Sequence, residues 1–257
     1  MAFDPSVSLR LINNERLRRS LGWGEYRDLG GALALTSDAP VPDLNRIESF
    51  VTDERHVEAL LDVGFALLRA FDREPAAFVT PLDRPESLGE HLRRRGLAPG
   101  ERTVSLVCSD DATPGRANRD IEVRRAGPDD ATTFANIVAA GAPKWARSLT
   151  LAGTLAGVHD PGSTFYVAYD GGEPAGTLHL LRDGATAGLY AVATLKAHRR
   201  RGVCSTLLAA AVSDARDAGC DVVGLRTAAE GDARRLFEAA GFSPAHESVL
   251  WTAPADA

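Results

Sequence analysis

An α/β (α+β) fold of two similar domains, each a mixed, mostly antiparallel central sheet flanked by helices, follows from three observations on this sequence of 257 residues. First, residues 164–169, 175–181 and 187–194 are apolar runs of strand length. They are separated by Gly171-Gly172 and Asp183-Gly184, pairs that tolerate the positive φ of tight hairpin turns and so join antiparallel neighbours. Second, the last run leads through His198-Arg199-Arg200-Arg201-Gly202 into Val203, Leu207, Leu208, Ala211, Val212 and Ala215, which recur at helical spacing, and then into the apolar run 221–227. A strand reached through a helical crossover lies parallel to the strand before it. Third, the sequence repeats itself. Gly96-Leu97-Ala98-Pro99 and Gly241-Phe242-Ser243-Pro244 each stand between a helix and a strand, and the same offset carries Leu92 onto Phe237 and Ala77-Phe78-Val79 onto Val222-Val223-Gly224.

Taken in order, residues 7–18 mix apolar and charged side chains as a surface helix does, and 23–35, with Gly24, Gly30 and Gly31, fits no single element. Residues 36–42, with Pro40 and Pro42, read as a loop. From Thr52, the side chains of Val57, Leu60, Leu61, Leu68 and Phe71 line one face of a helix, and Asp53 and Glu54 place negative charge at its positive end. Residues 76–80 form a strand, and 85–95 a helix with Pro85 at its start and Gly96 past its end. Residues 103–108 form a further strand. The stretch 109–119, with Asp110, Asp111, Pro114 and Gly115 and no large apolar side chain, reads as a linker. Beyond it come a strand at 121–125, a helix from 129 to about 140 and a short helix around 148–156. The three hairpin strands, the basic loop and its helix, and the strand 221–227 follow. A helix over 232–240 is ended by Gly241, and 248–252 is the last strand. The expected domains are residues 1–118 and 119–257. A slightly longer offset sets Leu60-Leu61 on Leu207-Leu208, so the 52–71 helix is the counterpart of the helix after the basic loop.

Composition bounds the function. The chain is 44% hydrophobic and 25% charged, as globular proteins are, with a net charge of −6 shared between the two halves. That balance argues against nucleic acid as a partner and makes the arginine triplet a local feature suited to a small anion. Cys108, Cys204 and Cys220 are odd in number and show no metal-ligand spacing, so neither a disulfide framework nor a metal site is expected, and a reducing, cytoplasmic setting fits. Residues 1–20 lack a continuous apolar core, and no stretch approaches the length of a membrane span, so no membrane partner is expected. A monomer and a homodimer are both compatible with the sequence.

The basic loop carries the chemistry. The first amides of a helix have no partners inside it and sit at the positive end of its dipole, so an anion is their natural occupant. Gly202 takes away the Cβ that would hold a phosphate off the backbone, and Arg199, Arg200 and Arg201 add charge at the same point, which suits a diphosphate. In the first copy Thr52, Asp53, Glu54 and Arg55 occupy the positions of Arg199 to Gly202. Acids stand there in place of arginines, with no glycine, so the first copy is not expected to bind one.

These residues resemble the GNAT-type N-acetyltransferases. The family's diphosphate signature, Gln/Arg-x-x-Gly-x-Gly/Ala, is matched by Arg199, Gly202 and Cys204, and its second element by Ala233, Leu236, Gly241 and Phe242, in the same order of strands and helices. The likeness covers nearly all of 119–257, and with a degenerate first copy the whole resembles a tandem GNAT protein. It implies acetyl-CoA as cosubstrate and an amine as acceptor, with the main chain of Val192, Ala193 and Thr194 along the pantetheine arm. The amides of Arg200, Arg201, Gly202, Val203, Cys204 and Ser205, with Arg199, would hold the diphosphate. Cys204 is expected as a small buried filler.

The departures are specific. Glu230 replaces the signature's Asn, Phe237 replaces the Tyr that protonates the leaving thiolate in many members, and Gly188 falls where some members carry a strand glutamate as base. The remaining polar residues on the central strands are Tyr190, beside the implied acetyl site, and His179, on the preceding strand; both are candidate catalytic groups, and both equally fit ordinary packing roles. Residues 140–161, including Lys144, Trp145 and His159, are where the resemblance puts acceptor selection. Two functions stay open: an acyl-CoA-dependent N-acyltransferase acting on a primary amine of a small molecule or an exposed amino group, and a non-catalytic acyl-CoA binding or sensing protein.

Overall fold

The structure is a computed structural model and describes residues 3–108, 117–140, 142 and 144–254. Most of the expected linker lies outside the described residues. In chain order the elements are α1 (Pro5–Ser20), β1 (Glu25–Asp28), β2 (Leu33–Thr36), β3 (Arg46–Glu48), α2 (Val57–Ala70), β4 (Ala76–Val79), α3 (Leu88–Arg94) and β5 (Ala98–Cys108). They continue as β6 (Ile121–Ala126), α4 (Ala131–Val138), α5 (Lys144–Gly157), β7 (Ser163–Asp170), β8 (Glu173–Asp183), β9 (Thr186–Thr194), α6 (Val203–Asp217), β10 (Val222–Ala228), α7 (Asp232–Ala239) and β11 (Phe242–Thr252).

Local chemistry sets the helix starts. Asp4 caps α1, its carboxylate accepting from the amides of Ser6 at 2.8 Å and Val7 at 3.3 Å, with Pro5 in the first turn. α2 begins later than the apolar pattern implies, because Asp53 Oδ1 accepts from the amides of Arg55 at 2.9 Å and His56 at 3.1 Å and folds 53–56 into a turn. α6 starts at Val203, straight after Gly202, which holds φ at +83°.

The chain forms two compact units, and they do not divide at residue 118. One comprises residues 1–23, 105–227 and 231–245; the other comprises 24–104, 228–230 and 246–257. The reason lies in two strands. β11, from the second expected half, pairs antiparallel with β4, from the first; β5, from the first, lies beside β10, from the second.

The 24–104 unit orders its strands β1-β2-β3-β4-β11, antiparallel except for the parallel β3/β4 pair joined through α2. Ile47, Phe50, Leu61, Phe65, Leu92 and Trp251 meet in its core. The unit containing 105–227 orders its strands β5-β10-β9-β8-β7-β6, with a β9-α6-β10 crossover that is again parallel and antiparallel pairs from β9 to β6. The repeat read from the sequence is therefore a repeated parallel crossover. Leu207 and Leu208 on α6 are fully buried, each worth roughly 1.5–3 kcal/mol of transfer free energy. On another helix, α4, Phe134 meets Phe165 of β7 edge-on, with ring centroids 5.2 Å apart.

Two irregularities in β9 matter for function. The β8/β9 register runs Thr177↔Ala193 and His179↔Tyr190, so β9 holds one extra residue, and Ala191 takes φ +50° to accommodate it. The parallel pairing with β10 covers Thr186 to Gly188, which leaves the bulged end of β9 to diverge from it. No helix among the described residues is long and apolar enough to cross a membrane.

Candidate active site

A cavity of about 1080 Å³ opens where β9 leaves β10, at the upper end of the roughly 300–1,000 Å³ typical of small-molecule sites. Val192, Ala193 and Thr194 from the bulged end of β9 line it, with Arg199, Arg200, Gly202, Val203, Cys204 and Ser205 from the loop and first turn of α6. All were expected on sequence grounds.

The loop is shaped for an anion. Gly202 is the N-cap of α6 and offers no side chain to it, so the first amides of the helix have no capping partner. Arg200 at φ +61° and Gly202 at φ +83° are both left-handed, and such turns of the chain point successive amides into one concavity. Arg199 and Arg200 are exposed beside it. The glycine requirement differs from the expected one: a Cβ on Gly202 would stand 3.0 Å from Asn118 Cβ, so the residue is fixed by its left-handed φ and by the passing chain.

Arg201 departs from its expected place. Its side chain leaves the cavity, and Nη1 pairs with the buried Asp170 Oδ2 at 2.8 Å, which His198 Nδ1 also contacts at 2.8 Å. Asn118 Nδ2 donates to the Arg201 carbonyl at 2.9 Å, and its own amide donates to Thr206 Oγ1 at 2.9 Å. Arg201 thus fastens the loop to the end of β7. Neither Asp170 nor Asn118 was legible as a fastener, since both are distant from the loop along the chain.

The opposite wall is α7, through Asp232, Ala233, Leu236 and Phe237, facing Ile137 and Ala140 of the α4 end. Phe237 lines the cavity and is otherwise buried, with its ring against Phe242 at 6.3 Å. Desolvation pushes the Cys204 thiol up to about 11, so it stays protonated; the residue is half-buried in the cavity wall where a fully buried filler was expected.

Neither Tyr190 nor His179 lines this cavity. His179 is buried, stacked on Phe165 at 4.0 Å with Nε2 3.0 Å from Ser163 Oγ, and burial holds its pKa well below the ordinary value. Tyr190 is half-buried against α1, where its hydroxyl donates to Asn14 Oδ1 at 2.7 Å, and burial raises its pKa. A neutral imidazole is a base in principle, but this one is occupied by packing and by Ser163. Gly188 is closed to a base as well: a Cβ there would lie 2.1 Å from Asn14 Oδ1 and 2.5 Å from the Tyr190 hydroxyl.

Residues 134–242 match the model of the acetyltransferase (GNAT) family. No curated protein matches the chain. Among solved structures, a GCN5-related N-acetyltransferase from Kribbella flavida superposes with a TM-score of 0.73 at 19% identity, covering 99% of this chain and 98% of its own. A GCN5-related N-acetyltransferase from Sphaerobacter thermophilus gives 0.66 at 19% identity over 92% and 84% of the two chains. A tandem GNAT protein from the clavulanic acid biosynthesis pathway gives 0.65 at 16% identity over 88% and 80%. At these identities the superpositions speak for the fold, and the family match speaks for the cavity-bearing stretch. Residues 134–242 are thus similar to the acetyltransferase (GNAT) family, within a fold shared along nearly the whole chain with GNAT proteins of known structure.

Proposed function

We propose that the chain is an acyl-CoA-dependent N-acyltransferase, moving acetyl from acetyl-CoA to a primary amine of a small molecule or to an exposed amino group. One observation carries this reading: the uncapped start of α6, with its left-handed Arg200 and Gly202, opens on a large cavity inside the stretch that matches the acetyltransferase family.

The residues fit the cosubstrate part by part. The amides of Val203 to Ser205 and the side chains of Arg199 and Arg200 hold the diphosphate, and the end of β9 beyond its pairing with β10 offers main-chain groups to the amide-bearing arm. Acetyl-CoA supplies an activated carbonyl and a thiolate good enough as a leaving group to depart without a strong acid. The amine nitrogen forms a bond to the carbonyl carbon as the C–S bond breaks, and the proton shed by the nitrogen passes to the thiolate or to water. Phe237 has no proton to give, so the rate is expected to rise with pH towards the acceptor amine's own pKa, where more of it is neutral.

Phe237 is also the one observation that favours the second reading, an acyl-CoA sensor without turnover. Thiol release from acetyl-CoA against a panel of polyamines, aminoglycosides, amino acids and peptide N-termini separates the two. Release with any amine supports transfer; tight acetyl-CoA binding with silence across the panel establishes the sensor.

A further inference from the structure

The buried stripe of α1 is polar. Ser8, Leu11, Asn14 and Arg19 are its buried residues, while Leu9 is exposed. Polar side chains turned inward and an apolar one outward need a reason beyond packing. The helix lies against β9 and β8, on the face that carries Tyr190.

Three guanidinium groups gather there around one carboxylate. Glu15 Oε1 pairs with Arg19 Nη2 at 2.8 Å and with Arg226 Nη2 at 3.1 Å. Arg18 has no ion pair and no side-chain hydrogen bond among the described residues, and its Nε is wholly covered and unpartnered. Its guanidinium carbon lies 4.2 Å from the Trp23 ring centroid and 4.9 Å from that of Tyr190, so two cation–π contacts hold the group in place. Burial and the neighbouring Arg19 lower its pKa to about 10, yet it remains charged at neutral pH. Asn14 completes the arrangement: it accepts from the Tyr190 hydroxyl and donates from Nδ2 to the Leu181 carbonyl at 3.1 Å, which fixes the ring that covers Arg18. A half-buried, rigidly held cation whose neighbouring carboxylate, Glu15, is already shared by Arg19 and Arg226 gains from an anion that completes it.

We propose that Arg18 is the anchor for a carboxylate on the acceptor, so that the amine acetylated by this chain is a small amino acid-like molecule. The inference rests on the N-acyltransferase reading for its amine, while its carboxylate rests on α1. Tyr190 stands two residues before Val192, roughly 7 Å along the strand from the cavity lining, a span that one small amino acid bridges. A planar guanidinium edge suits a carboxylate better than a point charge would, because it donates two parallel hydrogen bonds.

The test is calorimetric titration of the full-length, CoA-saturated protein with α-amino acids and β-alanine, each beside its carboxamide and its decarboxylated amine, for wild type, Arg18→Gln and Arg18→Lys. Wild type is expected to prefer at least one acid over its carboxamide by about 10- to 100-fold, the range of a charge-assisted hydrogen-bonded pair. Arg18→Gln should abolish the preference and Arg18→Lys should keep part of it, with affinity for CoA itself unchanged in both. In turnover, Arg18→Gln should raise KM for the acid with little change in kcat. Equal binding of acids and carboxamides by wild type, or a preference that survives in Arg18→Gln, overturns the proposal. So does failure of every carboxylated amine to bind. Acetylation of neutral amines alone would leave the N-acyltransferase reading standing and this one lost; binding of acids without any thiol release would do the reverse.

Discussion

At Gly202, backbone and ligand make separate demands on one residue. The left-handed φ and the nearness of Asn118 already favour glycine, and the uncapped amides that follow need their anion to come from outside the chain. Gly202→Asp places a carboxylate where the proposed diphosphate would sit, and is expected to weaken acetyl-CoA binding by about 100-fold or more, equivalent to roughly 2.7 kcal/mol, by calorimetry. Phe237→Tyr makes the opposite kind of change, since it puts a phenol on the cavity wall. If the wild type transfers acetyl without a dedicated acid, this substitution should leave kcat unchanged or raise it by about 10- to 100-fold in a thiol-release assay. A fall in kcat with unaltered acetyl-CoA affinity would mean that the ring packs for another purpose. Nine of the ten cofactor residues expected from the sequence line the cavity because a loop leading into a helix is a local structure, and local structure is what spacing encodes. Arg201 was not legible because its partner, Asp170, comes from another strand. The same limit hid the surroundings of Tyr190 and His179, which are set by Asn14 and Phe165.

Between elements, the clearest contrast is between α2 and α6, the two helices of the repeated crossover. Asp53 supplies its own carboxylate to the amides ahead of α2, while the N-cap of α6, Gly202, has no side chain to do so. α2 is instead tied to α3 by a clasp: Glu54 and Glu58 hold His91, and Arg95 bridges Glu58 and Asp62. Burial opposes the charge on His91, but its hydrogen bonds to Glu58 and Glu54 outweigh that and raise its pKa above 6.5; hydrogen bonds from His91 and its neighbours lower those of both glutamates below 4.5. A raised histidine stabilises fully below 6.5 and loses that contribution as pH rises through its folded value, while the lowered glutamates contribute above 4.5 and lose it as pH falls. The clasp is therefore strongest between about pH 4.5 and 6.5. Denaturation midpoints should fall as pH is raised beyond that window, and His91→Gln should flatten this part of the profile; an unchanged slope would show the clasp to be thermodynamically idle. Element types were readable from periodicity throughout this region, but ends were not. α2 starts at Val57 because of an Asp53 turn, and β11 begins at Phe242, directly after the helix, six residues before the expected start at 248.

For the whole molecule, the sequence repeat suggests two halves, whereas each compact unit draws on segments from both, because β5 and β11 each lie beside a strand of the other half. No local pattern reports which sheet a terminal strand will join. The repeat still makes a quantitative claim. Calorimetry should find one acetyl-CoA site per chain, and Gly202→Asp should remove it. A second site of similar affinity surviving that substitution would show that the Asp53 turn also accepts a diphosphate. Ligand at 100 times its dissociation constant should stabilise the folded protein by about 2.7 kcal/mol, visible as a raised thermal midpoint in wild type alone.

The position of α1 has a bearing on how such a protein diversifies. The helix packs on β9 and β8, yet it lies outside the stretch 134–242 that carries the acetyltransferase match. None of the cavity-lining residues lies within 5–20, so on the proposed reading changes in α1 would alter the choice of acceptor and leave the donor site as it is. Comparisons confined to 134–242 will group such proteins together and miss the divergence. If Arg18 anchors the acceptor as proposed, grafting α1 alone between relatives is the smallest exchange expected to carry one protein's choice of acceptor into another.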